Sequence, residues 1–136
     1  MVIRYVRKVE GSPVVGFLAQ AWADLIKQKQ WDHRSLLLTG DLQCVYAIER
    51  KKIVGAITFF VDDDERFATV NLAYVLPRHR RKGILKSLWG GMSGVVKDQK
   101  ALWISNVCFP DNAGIAAFCK SVGGYCYTHQ YRIDLE

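Results

Sequence analysis

The sequence predicts an α/β (α+β) single domain, a mixed and mostly antiparallel sheet flanked by helices. Three observations predict it. The hydrophobic period switches between two and about 3.6 along the chain, so strands and helices interleave. Three apolar runs, at 44–49, 53–61 and 67–76, are joined only by short polar turns, which makes an antiparallel meander. No repeat, linker or low-complexity tract divides the 136 residues, so residues 1–136 read as one domain of ordinary size. The expected order is β-α-(α)-β-β-β-α-β-α-β.

Residues 2–9 alternate apolar and polar and predict the first strand. A signal peptide would carry a continuous apolar core there, so a cytoplasmic protein is expected. Glu10-Gly11 turns the chain. Ser12-Pro13 reads as an N-cap hydroxyl followed by proline at the first helical position. Val14, Phe17, Leu18, Ala21, Trp22, Leu25 and Ile26 then recur at helical spacing. A second short helix is expected around 33–38.

The run 53–61 is nearly all apolar and predicts a central strand. Asp62-Asp63-Asp64-Glu65 is a tight acidic hairpin loop before the returning strand. Pro77 ends that strand. From Gly83 the period turns helical, with Ile84, Leu85, Leu88, Trp89, Met92, Val95 and Val96 on one face. A strand follows at 101–107, then a helix with Ile115, Phe118, Cys119 and Val122, stopped by Gly123-Gly124. Tyr125, Tyr127, His129, Tyr131, Ile133 and Leu135 alternate as a final strand.

Composition narrows the function. Half the residues are hydrophobic and 24% are charged, which excludes a disordered chain. The longest apolar runs are strand-sized, far short of the ~20 residues of a membrane span. Cys44, Cys108, Cys119 and Cys126 form no C-x-x-C pair and have no histidine at ligand spacing, so reduced, mostly buried thiols and no metal are expected. The net charge of +6 is concentrated in Arg78, His79, Arg80, Arg81 and Lys82. That block can serve a phosphate ligand or nucleic acid, or be a solvated loop.

Its position favours phosphate. A helix start leaves backbone N–H groups unpaired and carries partial positive charge. Gly83 lets a ligand approach the backbone, and Arg80, Arg81 and Lys82 add full charges at the same place. Five such residues at a helix N-terminus oppose the dipole unless an anion is present. Neither G-x-x-x-x-G-K-[ST] nor G-x-G-x-x-G occurs. Nucleic acid ranks low because no aromatics interleave the block.

Pro77-x-x-Arg80-x-x-Gly83, after a strand and opening a helix, resembles the acetyl-CoA motif of the GNAT superfamily of N-acetyltransferases, Q/R-x-x-G-x-G/A. Arg80 and Gly83 match, while Leu85 stands where glycine or alanine is usual. The helix after Asn112 resembles the family's second CoA-side helix, N-x-x-A-x-x-x-Y-x-x-x-G-F, at Asn112 and Gly123. The element order agrees as well.

The resemblance implies a GNAT-like fold and transfer of an acyl group, acetyl by preference, from acyl-CoA to a primary amine of a small molecule or protein. It implies pantetheine contacts from the main chain of Val75 with Leu76 beside it. Pyrophosphate contacts would come from Arg81, Lys82, Gly83, Ile84 and Leu85, with a side-chain contact from Arg80. Asn112 and Phe118 would flank the pantetheine. It admits a homodimer and calls for neither membrane nor metal.

Catalysis is less legible. The family often uses a carboxylate on the strand carrying Val75 and a tyrosine in the second helix. Asn71, Ala73 and Tyr74 stand on that strand, and Cys119 stands at the tyrosine position. Cys119 is either the acid that protonates the thiolate or a buried helix thiol. Tyr74, Tyr127 and His129 are further candidates, and Glu49 is one if its strand end faces the cleft. Trp31 is the better candidate than Trp22 for lining an acceptor pocket, and the Asp62–Glu65 loop is either an attractor of cations or an exposed hairpin tip. The missing groups keep an alternative open: a catalytically weak or inactive GNAT-fold protein that binds CoA or serves as an interaction module.

Overall fold

The computed structural model describes residues 1–28, 38, 40–107 and 113–135. Its elements are β1 (Val2–Val6), α1 (Val15–Lys27), β2 (Gln43–Glu49), β3 (Lys52–Asp62), β4 (Phe67–Val75), α2 (Ile84–Asp98), β5 (Trp103–Asn106) and α3 (Ala113–Ser121), with a 3-10 turn at Pro77–His79. The strands form one sheet in the order β1-β2-β3-β4-β5. All neighbours are antiparallel except β4 and β5, which are parallel.

The apolar run of β3 makes it the middle strand, covered on both faces. On one face Val45, Ile57, Phe59, Val70 and Ala68 pack under Ile84, Leu88, Met92 and Val96 of α2. On the other, Cys44, Ala56, Leu72 and Tyr74 pack under Leu18, Ala21 and Leu25 of α1. Gly55 permits the first contact, since a Cβ there would lie 3.2–3.3 Å from side-chain atoms of Leu88, Val75 and Ile84.

Short turns fix the meander. Arg50 and Lys51 both take positive φ, 50° and 64°, in the two-residue link between β2 and β3, as a hairpin of matching twist requires. In the acidic loop the Asp62 carboxylate accepts the N–H groups of Asp64 and Glu65 at 3.0 and 2.9 Å. The sheet is also pinned to α2 by a polar contact. Gln43, 1% exposed, exchanges amide hydrogen bonds with Gln99 and accepts the Tyr5 hydroxyl at 2.7 Å.

One irregularity positions the site. Thr58 pairs with Leu72 but Phe59 pairs with Val70, so Asn71 is an extra residue on β4. A bulge flips the alternation beyond it. Ala68 and Val70 face α2, whereas Leu72 and Tyr74 face α1. Pairing to β5 stops at the same point, at Val70 with Asn106.

The structure corrects several boundaries. β1 ends at Val6, not Val9, because β2 begins at Gln43 and its last partner is Cys44. Val9 is instead buried against α1, with its N–H on Leu42 O. Ser12 does not cap α1: the helix starts at Val15, and Ser12 Oγ is buried without a hydrogen bond. Burial of Val9 and Val14 sets that start. β5 is four residues rather than seven. The final strand at 125–135 does not form, and Tyr125, Tyr131, Ile133 and Leu135 are 82–94% exposed. Alternation encodes the capacity to pair, but the segment finds no strand partner among the described residues. The cysteines are less buried than expected: Cys44 is buried, Cys119 half-buried and Cys126 exposed. The expected helix at 33–38 falls almost wholly outside the described residues, as do Trp31, Cys108 and Asn112.

Candidate active site

Where β4 leaves β5, Asn71 to Val75 have no partner strand on that side among the described residues. A cleft of about 710 Å³ opens there, within the range of ligand pockets. β4 contributes Ala73, Tyr74 and Val75, and the basic turn contributes His79, Arg80 and Arg81. The start of α2 adds Gly83, Ile84, Leu85 and Lys86. Ile115, Phe118 and Ser121 of α3 stand on one side and Leu25 of α1 on another. Phe118 is held by an edge-on contact with Trp89 of α2, ring centroids 5.5 Å apart.

The basic end has the backbone geometry of an anion cradle. Arg81 and Gly83 have positive φ, 62° and 79°, and such alternation turns successive N–H groups toward one concavity. The first helical bond in α2 is Ser87 N–H to Gly83 O at 3.0 Å. The N–H groups of Ile84, Leu85 and Lys86 therefore have no intrahelical partner. No side chain caps them, and the first turn holds no acidic residue. Space around Gly83 is open, so its conformation rather than crowding demands glycine.

Arg80 lies along the strand end. Its Nε donates to Val75 O at 2.8 Å, and its guanidinium stands 5.3 Å over the Tyr74 ring. This occupies one of the main-chain groups expected to meet pantetheine. His79 Nδ1 lies 3.1 Å from Glu49 Oε2, which brings the end of β2 to the cleft through that imidazole.

On the α1 side of the cleft the Tyr74 hydroxyl donates to Asp24 Oδ2 at 2.6 Å. Burial first, and then this bond to a carboxylate, push the phenol up to about 12. The Tyr74 hydroxyl is thus held as a hydrogen-bond donor to Asp24. Asp24 stood among the polar residues of an amphipathic helix, and nothing in the sequence linked it to a tyrosine 50 residues on. The only local sign was its place beside Leu25 on the edge of the apolar stripe.

The expected site residues divide clearly. Tyr74, Val75, Arg80, Arg81, Gly83, Ile84, Leu85 and Phe118 line one cleft. Leu76 and Lys82 adjoin it without lining it, and Leu76 gives its N–H to Val54 O. Cys119 sits on the same helix as Phe118, with its sulfur accepting Asn106 Nδ2 at 3.3 Å. Tyr127 and the acidic loop lie elsewhere. Tyr127 touches Trp103, which stacks on Phe67. Phe67 and Val75 are opposite ends of β4, roughly 26 Å apart at about 3.3 Å per residue. His129 is in the exposed C-terminal segment.

Comparison with known proteins agrees with this architecture. The model of the acetyltransferase (GNAT) family matches residues 8–123. The chain belongs to that family. As a GNAT acetyltransferase it shares its fold with solved structures at low identity. An aminoglycoside acetyltransferase from an uncultured soil metagenomic sample, in complex with sisomicin, is 16% identical with a TM-score of 0.78, covering 99% of this chain and 96% of that one. An aminoglycoside N-acetyltransferase in complex with CoA is also 16% identical, with a TM-score of 0.71 and coverages of 99% and 98%. A ribosomal-protein-alanine N-acetyltransferase from Brucella melitensis biovar Abortus 2308 gives 16%, 0.67, 99% and 100%. No curated protein sequence matches this acetyltransferase. Among its described residues no helix is long and apolar enough to cross a membrane.

Proposed function

We propose that this GNAT acetyltransferase moves an acetyl group from acetyl-CoA to a primary amine of a small molecule or protein. The observation that carries the reading is the cleft at the β4–β5 fork, which ends on the uncapped, basic N-terminus of α2. The pyrophosphate would lie on the N–H groups of Gly83 to Lys86, with Arg81 and Lys82 supplying charge. The pantetheine would run back along β4 between Val75 and Phe118. Leu85 is half-buried and packs against the α2-side core, so its size is taken up there. The thioester would then reach Ala73 and Tyr74. Solved neighbours that hold CoA and an aminoglycoside support both halves of the proposal.

Incubation with labelled acetyl-CoA and a panel of amines tests it. An aminoglycoside, a polyamine and peptides with free N-termini or lysines cover the acceptor classes. Amide product on one class is the expected result. Tight acetyl-CoA binding without product on any amine would favour the binding-only alternative. The three described cysteines are free, which supports the cytoplasmic reading. A homodimer would give the exposed alternating segment 125–135 a partner; a monomer by light scattering would refute it.

A further inference from the structure

The proposed transfer needs an amine lone pair, so an ammonium acceptor must first lose a proton. The sequence places no acidic residue on β4 beyond the bulge, where residues 71–75 read Asn-Leu-Ala-Tyr-Val. Among the described residues, two carboxylates approach side chains that line the cleft. Glu49 reaches it through His79, in the basic turn that would hold the pyrophosphate. Asp24 reaches it through Tyr74, on the α1 side.

Resting on that reading of the cleft, we propose that Asp24 is the group that receives the acceptor's ammonium and takes its proton, with Tyr74 as its positioning residue. The bulge at Asn71 turns Tyr74 onto the α1 face, away from the wall formed by α2 and α3. The cofactor thus enters from one face of the sheet and the acceptor from the other, and they meet at the β4 edge. Asp24 is half-exposed, and the next residue, Leu25, lines the cleft. Its Oδ2 accepts the Tyr74 hydroxyl, and its Oδ1 accepts the exposed Gln20 amide at 3.1 Å. A carboxylate offers about four acceptor positions, so room remains for an ammonium.

Asp24 takes one proton from R–NH3+, and the freed lone pair forms the C–N bond at the thioester carbonyl. The C–S bond breaks, and the thiolate takes a second proton from the nitrogen. Asp24 returns the first proton to solvent, leaving the amide, the CoA thiol and the Asp24 carboxylate it began with.

The test is a pH profile of kcat/KM for the amine, on the full chain with saturating acetyl-CoA. Asp24 is faced by the Tyr74 hydroxyl, by Arg80 stacked on that ring, and by Gln20 of its own helix. Asp24→Asn should cost roughly 100-fold near neutral pH, the low end of what a positioned base supplies. The deficit should shrink about tenfold per pH unit as solution deprotonates the amine, while acetyl-CoA affinity stays unchanged. Tyr74→Phe keeps the ring and should lower kcat roughly two- to tenfold, the worth of one hydrogen bond. Full activity of Asp24→Asn, a deficit constant with pH, or lost acetyl-CoA affinity would overturn the assignment alone. Absence of turnover by the wild-type enzyme on every amine would refute the transferase reading and the assignment with it.

Discussion

Gly83→Ala isolates the role of the anion cradle. Gly83 has φ +79°, and a Cβ built on it meets nothing within 4 Å. The substitution therefore adds no clash, only the left-handed backbone penalty of roughly 1–2 kcal/mol. That energy has two places to go. If the loop keeps its shape, folding stability falls by about that amount. If the free protein relaxes the loop, binding must restore it, and acetyl-CoA affinity falls about 5- to 30-fold at ~1.36 kcal/mol per decade. Urea denaturation and calorimetric titration together capture both shares. Gly90→Ala in α2 is the control: it too has open space but no positive φ, so alanine should stabilise by about 0.5–1 kcal/mol without altering affinity. A Gly83→Ala protein as stable as the parent and equally tight for acetyl-CoA would contradict a left-handed Gly83 at the ligand.

Gly55→Ala should lower stability by roughly 1–3 kcal/mol in denaturant unfolding, because Leu88, Val75 and Ile84 would have to give way around the new methyl; an unchanged midpoint would mean α2 sits further from β3. Burial pushes the Cys44 thiol up to about 12, so a thiol reagent at pH 8 should label exposed Cys126 far faster than Cys44 when followed by peptide mapping. Equal rates would contradict the α1-side core. Tyr74 is raised from 10.0 to about 12, so its contribution to stability is whole below pH 10 and is lost as pH rises through 12. Tyr74→Phe should flatten the fall of Tm across that window, and an identical slope would count against the buried bond to Asp24.

Much of the fold was legible because strong local signals agreed. The continuous apolar run of β3 and the flanking turns marked the meander, Gly83 marked the start of α2, and Gly123-Gly124 marked the end of α3. At that end Gly123, φ +90°, gives its N–H to Lys120 O and Gly124 gives its own to Cys119 O, the paired bonds that close a helix. Where a local signal competed with tertiary packing, packing won. Ser12-Pro13 has the chemistry of a helix start, but burying Val9 and Val14 moved the start to Val15.

The proposed cofactor side of the site was local in sequence and so readable from one segment. The proposed acceptor side was not. It depends on a one-residue bulge at Asn71, which no residue type announces, and on a bond between Tyr74 and Asp24 across 50 positions. Tyr127 shows the converse. Its alternating context predicted a strand, whereas its ring rests on Trp103, which stacks on Phe67 at the end of β4 away from Val75.

In the function proposed above, the N-terminus of α2 grips the pyrophosphate of an acyl-CoA. Calorimetry comparing acetyl-CoA with acetyl-pantetheine, which keeps the thioester and arm but lacks the diphosphate and the phosphorylated adenosine beyond it, tests it most directly when repeated on Arg81→Glu, which assigns the difference to the start of α2. Two charge-assisted hydrogen bonds at about 1.5 kcal/mol each predict at least roughly 100-fold tighter binding of acetyl-CoA at low salt, with the advantage shrinking in Arg81→Glu. Equal affinity for the two ligands, or an advantage untouched by that substitution, would contradict it.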